Sequence, residues 1–307
     1  MRTALLFLFA TAPGLVFAQA PESPAELDES ELSVADAGPE LFSFEPRSDA
    51  QVGWSFVETS TWKVTGRNLV KVAGATVRKG PIDRLSSHVV DVNITEVDAG
   101  RPRAMDLKVR EQVSRDQGEA EDLALDGLAL TIQGPSGDRS MDRVDGKRLK
   151  RKQRKWLDRQ FGGSAEGQDI DPISLLIPEK PVHVGATWDL SLSAIQGFFG
   201  EDRFTLDSAM SYAHATLVSV DELNGVETGT FSFEVVLIPT TIKNAELEDG
   251  RMRIAGTAHL PVQGDLPYFD YDVTTEMRFL GTFIRGGIRA AVDLDMLMHG
   301  VDLRQAR

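Results

Sequence analysis

From about residue 51 onward, apolar and polar side chains alternate along the chain with a period of two. The clearest alternating runs are Val52 to Phe56, His88 to Ile94, Leu128 to Ile132 and Phe231 to Leu237. Asp-Gly pairs, an Asn-Gly pair and prolines separate these runs. Period-two alternation bounded by such turns is typical of antiparallel strands and hairpins. The pattern predicts an all-β fold.

The order of these runs recurs along the chain at nearly equal spacing. The matched pairs are Val97-Asp98 with Val220-Asp221, Asp126-Gly127 with Asp249-Gly250, and Thr61-Trp62 with Thr187-Trp188. An internal duplication produces this order, and chance recurrence of common turn residues is the alternative. We therefore expect two antiparallel sheet units.

One segment between the two units has a helical pattern. Lys147 to Phe161 contains neither Pro nor Gly and is followed by Gly162-Gly163. Leu149 and Trp156 lie on one stripe of such a helix, so only a modest face is apolar. The sequence predicts one basic connecting helix, followed by a Pro-rich connection up to residue 180.

The N-terminal residues have the features of an export signal. Arg2 precedes an apolar run from Ala4 to Phe17, and small residues follow at Ala18 and Ala20. The run is shorter than the roughly 20 apolar residues that a membrane-spanning helix needs. We expect cleavage after Ala18 or Ala20, no transmembrane segment after signal removal, and a periplasmic or secreted location in a bacterium.

The acidic residues are concentrated after this signal. Residues 21–46 carry eight acidic side chains, no basic one and four prolines, which favours a solvated, disordered tail. The expected organisation is a signal peptide at 1–20, the acidic tail at 21–49, a first β unit at 50–146, the helix and connection at 147–180, and a second β unit at 181–307.

Composition excludes several classes of site. The chain has no cysteine, which removes disulfides, thiolate metal sites, cysteine nucleophiles and a lipidated cysteine. Its net charge of −14 argues against nucleic acid as a partner. Phosphate-binding loops, nucleophile elbows and dinucleotide-binding glycine motifs are not found. We assign no catalytic residue and no cofactor.

The predicted helix carries the sharpest candidate site. Its expected anion-binding or partner-binding residues are Lys147, Arg148, Lys150, Arg151, Lys152, Arg154 and Lys155, with Trp156 as an interfacial anchor. Such a strip suits phosphorylated lipid headgroups, a polyanionic wall component or an acidic partner. The alternative is a solvated helix whose charges face the acidic remainder of the chain, including its own tail.

Histidines and paired carboxylates are weaker candidates for metal binding. The five histidines are His88, His183, His214, His259 and His299, and no two of them have helical ligand spacing. Carboxylates two residues apart occur at Asp169/Asp171, Asp270/Asp272 and Asp293/Asp295. On a strand this spacing puts both groups on one face, as a divalent cation or a polar outer face would require. We assign no metal ligand.

The segment Pro181 to Trp188 and the hairpin from Val220-Asp221 to Gly225 resemble a loose group of uncharacterised exported bacterial proteins. The resemblance extends from about Asp126 to Phe283. It implies an envelope location and a β-rich, half-barrel-like shape similar to that of periplasmic lipoprotein carriers, and it implies no activity.

These observations favour an exported, non-enzymatic envelope protein that binds an apolar or anionic ligand, such as a lipid or an anionic envelope component. Two alternatives remain. One is a hydrolase or metal enzyme whose site is assembled only in three dimensions, and the other is a structural or assembly protein. We further expect the sheet interior to be apolar, with its polar groups not gathered in one place.

Overall fold

A computed structural model describes residues 39–47, 50–135, 138–161, 174–199, 204–223, 225–242, 245–265, 269–285 and 288–306. The signal segment, and the acidic segment up to residue 38, lie outside the described residues. Within these ranges, no helix has the length and apolar character required to cross a membrane.

The described chain is built mainly from strands. The first half contains β1 (Glu45–Arg47), β2 (Ser55–Val72), β3 (Ala75–Asp98), β4 (Arg101–Asp116), β5 (Glu119–Ala120), β6 (Ala129–Gln133), β7 (Ser140–Arg143) and helix α1 (Arg151–Phe161). The second half contains β8 (Thr187–Asp189), helix α2 (Leu192–Phe199), β9 (Phe204–Leu206), β10 (Tyr212–Leu223), β11 (Val226–Leu237), β12 (Pro239–Ile242), β13 (Ala245–Pro261), β14 (Gln263–Asp265), β15 (Phe269–Arg285) and β16 (Ile288–Ala306).

Fourteen of the described strands form one large antiparallel sheet, so the predicted all-β class is confirmed. The main path through this sheet runs β8-β10-β11-β13-β15-β16-β2-β3-β4-β6-β7. The sheet is open, since β8 and β7 lie at the two ends of this path. The strands of both predicted units therefore belong to a single sheet, which continues across their junction.

The two halves place corresponding strands in the same order. Neighbours run β2-β3-β4-β6 in the first half and β8-β10-β11-β13 in the second, and both series point the same way along the sheet. The hairpins matched in the sequence, β3–β4 and β10–β11, occupy corresponding places. This shared order is what an internal duplication produces.

β2, the first strand of the first half within the large sheet, pairs with β16, the last described strand. β2 and β16 are in antiparallel register from Phe56 opposite Ala306 to Val72 opposite Ala290. Gly66 permits this close approach, because a Cβ at that position would overlap the backbone carbonyl of Asp295 on β16. The pairing brings residues from opposite ends of the sequence onto neighbouring strands.

Three hairpins close with the same kind of tight turn. Ala73, Ala99 and Gln117 each have positive φ and are each followed by a glycine with positive φ. Two consecutive residues with positive φ form the type I′ turn, whose twist matches that of paired strands. The turn predicted at Ala99 and Gly100 is one of these three.

One face of the sheet carries both main hydrophobic cores, and we call it the inner face. The first core packs β3, β4 and β6 residues such as Val90, Val109 and Leu130 against Leu157 of α1. The second core packs β11, β13 and β15 residues against α2 and the segment that precedes β8. The outer face carries polar residues, including the salt bridge between Arg253 and Glu234. Period-two alternation therefore separates the two faces of this sheet.

The packed structure begins before residue 49, although the disordered tail was predicted to extend to that residue. β1 pairs in parallel with β14, and Phe42 forms a bridge with Val182. Phe44 is only 6% exposed and packs edge-on against Phe231. Burial of Phe44 stabilises a segment for which the acidic composition alone predicted disorder.

The connecting helix is shorter than predicted. It was expected to begin at Lys147, and α1 begins at Arg151. The Gln153 side chain accepts a hydrogen bond from the Lys150 backbone N–H at 2.9 Å, which caps the helix. Its amide also donates to the Ala124 carbonyl at 2.8 Å. A second helix, α2, was not predicted, and it is capped by the Ser191 hydroxyl.

Candidate functional site

The predicted basic strip lies on the outward side of α1 and of the residues that precede the helix. All seven of its cations are exposed: Lys147, Arg148, Lys150, Arg151, Lys152, Arg154 and Lys155. Two of them have nearby acidic partners. Lys152 Nζ lies 2.9 Å from Glu121, and Lys147 Nζ lies 3.6 Å from Asp145.

Four cations of the strip have no acidic partner within the described residues. Arg148, Lys150, Arg151 and Arg154 occupy one short stretch of exposed surface. Just beyond them, burial and the nearby Arg84 lower the pKa of Arg159, against an opposing effect of Glu121. The described protein thus presents a local concentration of positive charge that its other acidic residues do not neutralise.

Trp156 is not available as a surface anchor for this strip. Its side chain is only 6% exposed and belongs to the first hydrophobic core. Its ring stands edge-on to His88, with 5.3 Å between ring centroids. The helix turns its aromatic stripe toward the sheet because burying large apolar surface stabilises the fold more than exposing it.

A second group of polar residues lies on the inner face where β2 pairs with β16. We call it the central polar cluster, and it consists of Glu58, Ser60, Trp62, His88, Tyr271, Asp302 and Arg304. These residues come from four neighbouring strands and share one face by register. They lie between the two hydrophobic cores.

Glu58 is at the centre of this cluster. Its carboxylate accepts a hydrogen bond from Arg304 Nε at 2.9 Å and lies 3.5 Å from His88 Nε2. Burial by itself raises the pKa of Glu58, but the positive charge of Arg304 and the hydrogen bond from His88 outweigh it and lower the pKa to about 2. Glu58 is therefore an anion at neutral pH, balanced by Arg304.

Asp302 and Tyr271 form the other side of the cluster. The Tyr271 hydroxyl donates to Asp302 at 2.7 Å, and the Ser60 hydroxyl, like that of Tyr271, acts to lower the pKa of this carboxyl group. Burial raises the pKa of Asp302 more than these hydrogen bonds lower it. Burial also raises the pKa of Tyr271, and the neighbouring Asp302 raises it further.

The cluster corrects the expectation that polar groups of the sheet interior are not gathered. Its arrangement nevertheless differs from that of a hydrolase. The Ser60 oxygen accepts a hydrogen bond from Trp62 Nε1 at 2.8 Å. Nucleophilic catalysis needs the hydroxyl to donate to a base such as His88, and among the described residues His88 instead lies 3.5 Å from Glu58.

Sequence reasoning missed Glu58, Tyr271, Asp302 and Arg304 because their partners are distant in sequence. Glu58 and Arg304, for example, are 246 residues apart. The sequence did contain one signal for the cluster. His88 shares a strand face with the apolar residues Val90, Val92 and Ile94, so a polar side chain was expected within a buried row.

The remaining histidines and carboxylates lie apart from this cluster. His259 lies 3.2 Å from Thr230, His299 lies 3.3 Å from Asp272, and the His214 ring stacks on Tyr212. Asp169 and Asp171 lie outside the described residues. No group of three metal-ligating side chains occurs among the residues that the structure describes.

Comparison with known proteins adds little to this description. No family model matches the chain, and no curated protein matches it. A solved structure described as lipid-protein interactions in lipovitellin is similar at 7% sequence identity, with a TM-score of 0.37. The match covers 83% of this chain and 25% of that chain. A likeness at this level indicates neither a shared fold nor a shared ligand.

Proposed function

We propose that this chain is an exported, non-enzymatic envelope protein that binds an anionic envelope component through the basic strip. The observation that supports the proposal is the exposure of Arg148, Lys150, Arg151 and Arg154 without acidic partners in the described chain. The whole protein carries a net charge of −14. Unneutralised cations on such a protein form a local site that attracts anions.

The structure favours contact with the surface of the partner over insertion into a membrane. The apolar side of α1, formed by Trp156, Leu157 and Phe161, is buried in the first core. An interfacial helix needs that side free to enter the lipid. The strip can therefore offer only its charged side, which binds phosphate or carboxylate groups. Arginines suit such groups because the guanidinium can donate two parallel hydrogen bonds.

Binding to vesicles tests this proposal. The probes are phosphatidylcholine vesicles with and without phosphatidylglycerol, in low and high salt. We expect the protein to bind the anionic vesicles alone and to be released by salt, because screening weakens charge attraction. Replacing Lys150, Arg151, Lys152, Arg154 and Lys155 by Gln should abolish this binding.

A matched variant controls for the loss of net charge. Lys63, Arg67, Lys71, Arg78 and Lys79 are five exposed cations of β2 and β3, outside the strip. Replacing these five by Gln changes the net charge equally and should leave vesicle binding unchanged. Equal loss of binding in both variants, or binding retained by the strip variant, would contradict the proposal.

The proposed export is tested separately. Mass spectrometry of the protein recovered from the periplasm or medium should give a mature N-terminus after Ala18 or Ala20. Recovery of the full-length chain from the cytoplasm alone would contradict export and would leave the vesicle result unaffected.

An apolar ligand is the second candidate. Trp62, Val64 and Leu294 are half-buried on the inner face, at the edge of the second core. Side chains of this kind often line ligand sites. Organic extraction of the purified native protein, followed by mass spectrometry, should then release a stoichiometric apolar compound. A blank extract would remove this candidate.

A further inference from the structure

Three buried nitrogen atoms without hydrogen-bond partners lie together beneath α1. They are His88 Nδ1, Gln112 Nε2 and Trp156 Nε1, and none of them has a partner in the described part of the chain. His88 is 2% exposed and Trp156 is 6% exposed. Two of the three side chains are thus almost completely buried while a polar atom of each remains unpaired.

The positions of these side chains are fixed by different elements. His88 on β3 is directly opposite Gln112 on β4, so both point to the inner face as cross-strand neighbours. Trp156 covers His88 from α1, with the two rings nearly perpendicular. The Phe161 ring lies 6.3 Å from the His88 ring and closes a further side.

Unpaired polar atoms in such a place are costly. A buried donor or acceptor without a partner has lost its hydrogen bonds to water and gained none in return. Most buried polar groups in native proteins are paired, so each exception needs an explanation, and a bound group that supplies the missing partner is one. Three exceptions around a single histidine indicate one shared partner.

The chemistry of the three atoms defines that partner. Trp156 Nε1 and the Gln112 amide nitrogen, Nε2, can only donate. His88 donates through Nε2 to Glu58, so in the neutral ring its Nδ1 is an acceptor. The complementary group accepts two hydrogen bonds and donates one, which is the capacity of a hydroxyl group.

We infer that His88, Gln112 and Trp156 form a binding site for the hydroxyl group of a small apolar molecule. The hydroxyl oxygen accepts from Trp156 and Gln112, and its proton is donated to His88. Val90, Val109, Leu157 and Phe161 belong to the same hydrophobic core as Trp156. They suit a hydrocarbon body and would not solvate a second polar group.

Charge nearby disfavours an anionic head. Glu58 lies behind His88 and is ionised at neutral pH. Arg304 on the same face already pairs with Glu58. A carboxylate bound at the three nitrogens would meet the Glu58 carboxylate across one imidazole ring. The inference is independent of the basic strip, and the site lies in the first core, apart from the half-buried side chains at the edge of the second core.

Titration of the whole protein with 1-hexanol, followed by NMR of the indole N–H resonances, tests this site. Hexanoate and hexyl methyl ether are the matched probes, because the first is anionic and the second cannot donate. We expect 1-hexanol to shift the Trp156 resonance at saturation, with at least fivefold weaker binding of either matched probe. Gln112→Leu should weaken 1-hexanol binding at least fivefold.

Trp54→Phe is the control substitution, because Trp54 packs beside the same core at another position. It should remove one resonance and leave 1-hexanol binding unchanged. Trp156→Phe should assign the shifted resonance and abolish the response. If 1-hexanol leaves the Trp156 resonance unmoved in the folded protein, the site holds ordered water only and the inference is overturned. Vesicle binding is unaffected by either result.

Discussion

The outward side of helix α1 and the sheet face beneath the helix both carry polar groups, and the two sets differ in how these groups are paired. Outward, Arg148, Lys150, Arg151 and Arg154 are exposed, close together in sequence and without acidic partners in the described structure. Inward, Trp156 covers His88, which leads through Glu58 to Arg304 on β16. One short helix thus separates a set of independent surface charges from a buried, connected network.

The difference shows that burial determines how much each charge contributes. Solvated cations interact weakly with each other and with the fold, because water and salt screen them. Buried charges interact strongly, and breaking one pair leaves the partner unsatisfied. Substitutions on the outward side should therefore alter binding, while those on the inward side should alter stability.

The largest expected effect is at Trp156. Trp156→Ala should lower the free energy of unfolding by about 3–5 kcal/mol, because it leaves a cavity in the first core. Denaturant unfolding followed by circular dichroism measures this change. Lys155→Ala, one residue earlier on the outward side, is the control and should be near neutral. A small effect of Trp156→Ala would mean that α1 does not pack on the sheet.

The next effect concerns the pairing of β2 with β16, which assembles the inward network. Gly66→Ala should destabilise the protein by about 3 kcal/mol, since the added methyl group must displace backbone of β16. Gly80→Ala on β3 is the matched control, because a Cβ there has no neighbour within 4 Å. Equal midpoints of denaturant unfolding for the two variants would argue against this strand pairing.

Removal of the central anion should have an intermediate effect. Glu58→Gln should lower the free energy of unfolding by roughly 1–3 kcal/mol, a range reduced because the Arg304 side chain is 34% exposed. Glu276→Gln removes an exposed carboxylate from the outer face and serves as the control. If the two variants unfold at the same denaturant concentration, Glu58 is not the centre of a buried network.

The pH dependence of stability should reveal the same residue. The pKa of Glu58 falls on folding from its ordinary 4.5 to about 2, so its contribution is present above pH 4.5 and is lost as pH falls toward 2. Burial raises the pKa of Asp302, so the contribution of Asp302 to stability has the opposite sign: it is present at low pH and is lost as pH rises. Unfolding measured at several pH values should show a shallower acid loss in Glu58→Gln than in the unaltered protein. Identical acid profiles would contradict the assignment.

The smallest expected change in stability is on the outward side. Replacing Lys150, Arg151, Lys152, Arg154 and Lys155 by Gln should alter the free energy of unfolding by no more than about 0.5 kcal/mol per residue. Thermal unfolding at low and high salt measures this change. A large loss of stability at low salt would show that the strip is neutralised within the protein, for which the acidic segment at residues 21–46 is the available source of charge.

Local patterns predicted those parts of the protein that depend on neighbouring residues. Alternation from Val90 to Ile94 indicated a strand with one buried side, and Ala99-Gly100 indicated a turn that the structure contains. The cationic run indicated an exposed helix side, and α1 exposes it. The start of α1 was predicted too early, because its cap depends on the buried Gln153, which also contacts Ala124 in a distant loop.

The sequence by itself determined the all-β class, the turns and the location of the exposed positive charge, because each follows from side chains close together along the chain. Only the tertiary structure decided that β2 meets β16, that Trp156 is turned inward, and that Glu58, His88 and Arg304 form one network. Register between strands from opposite ends of the sequence brings these groups together. No local pattern encodes that register, because it depends on the packing of the whole sheet.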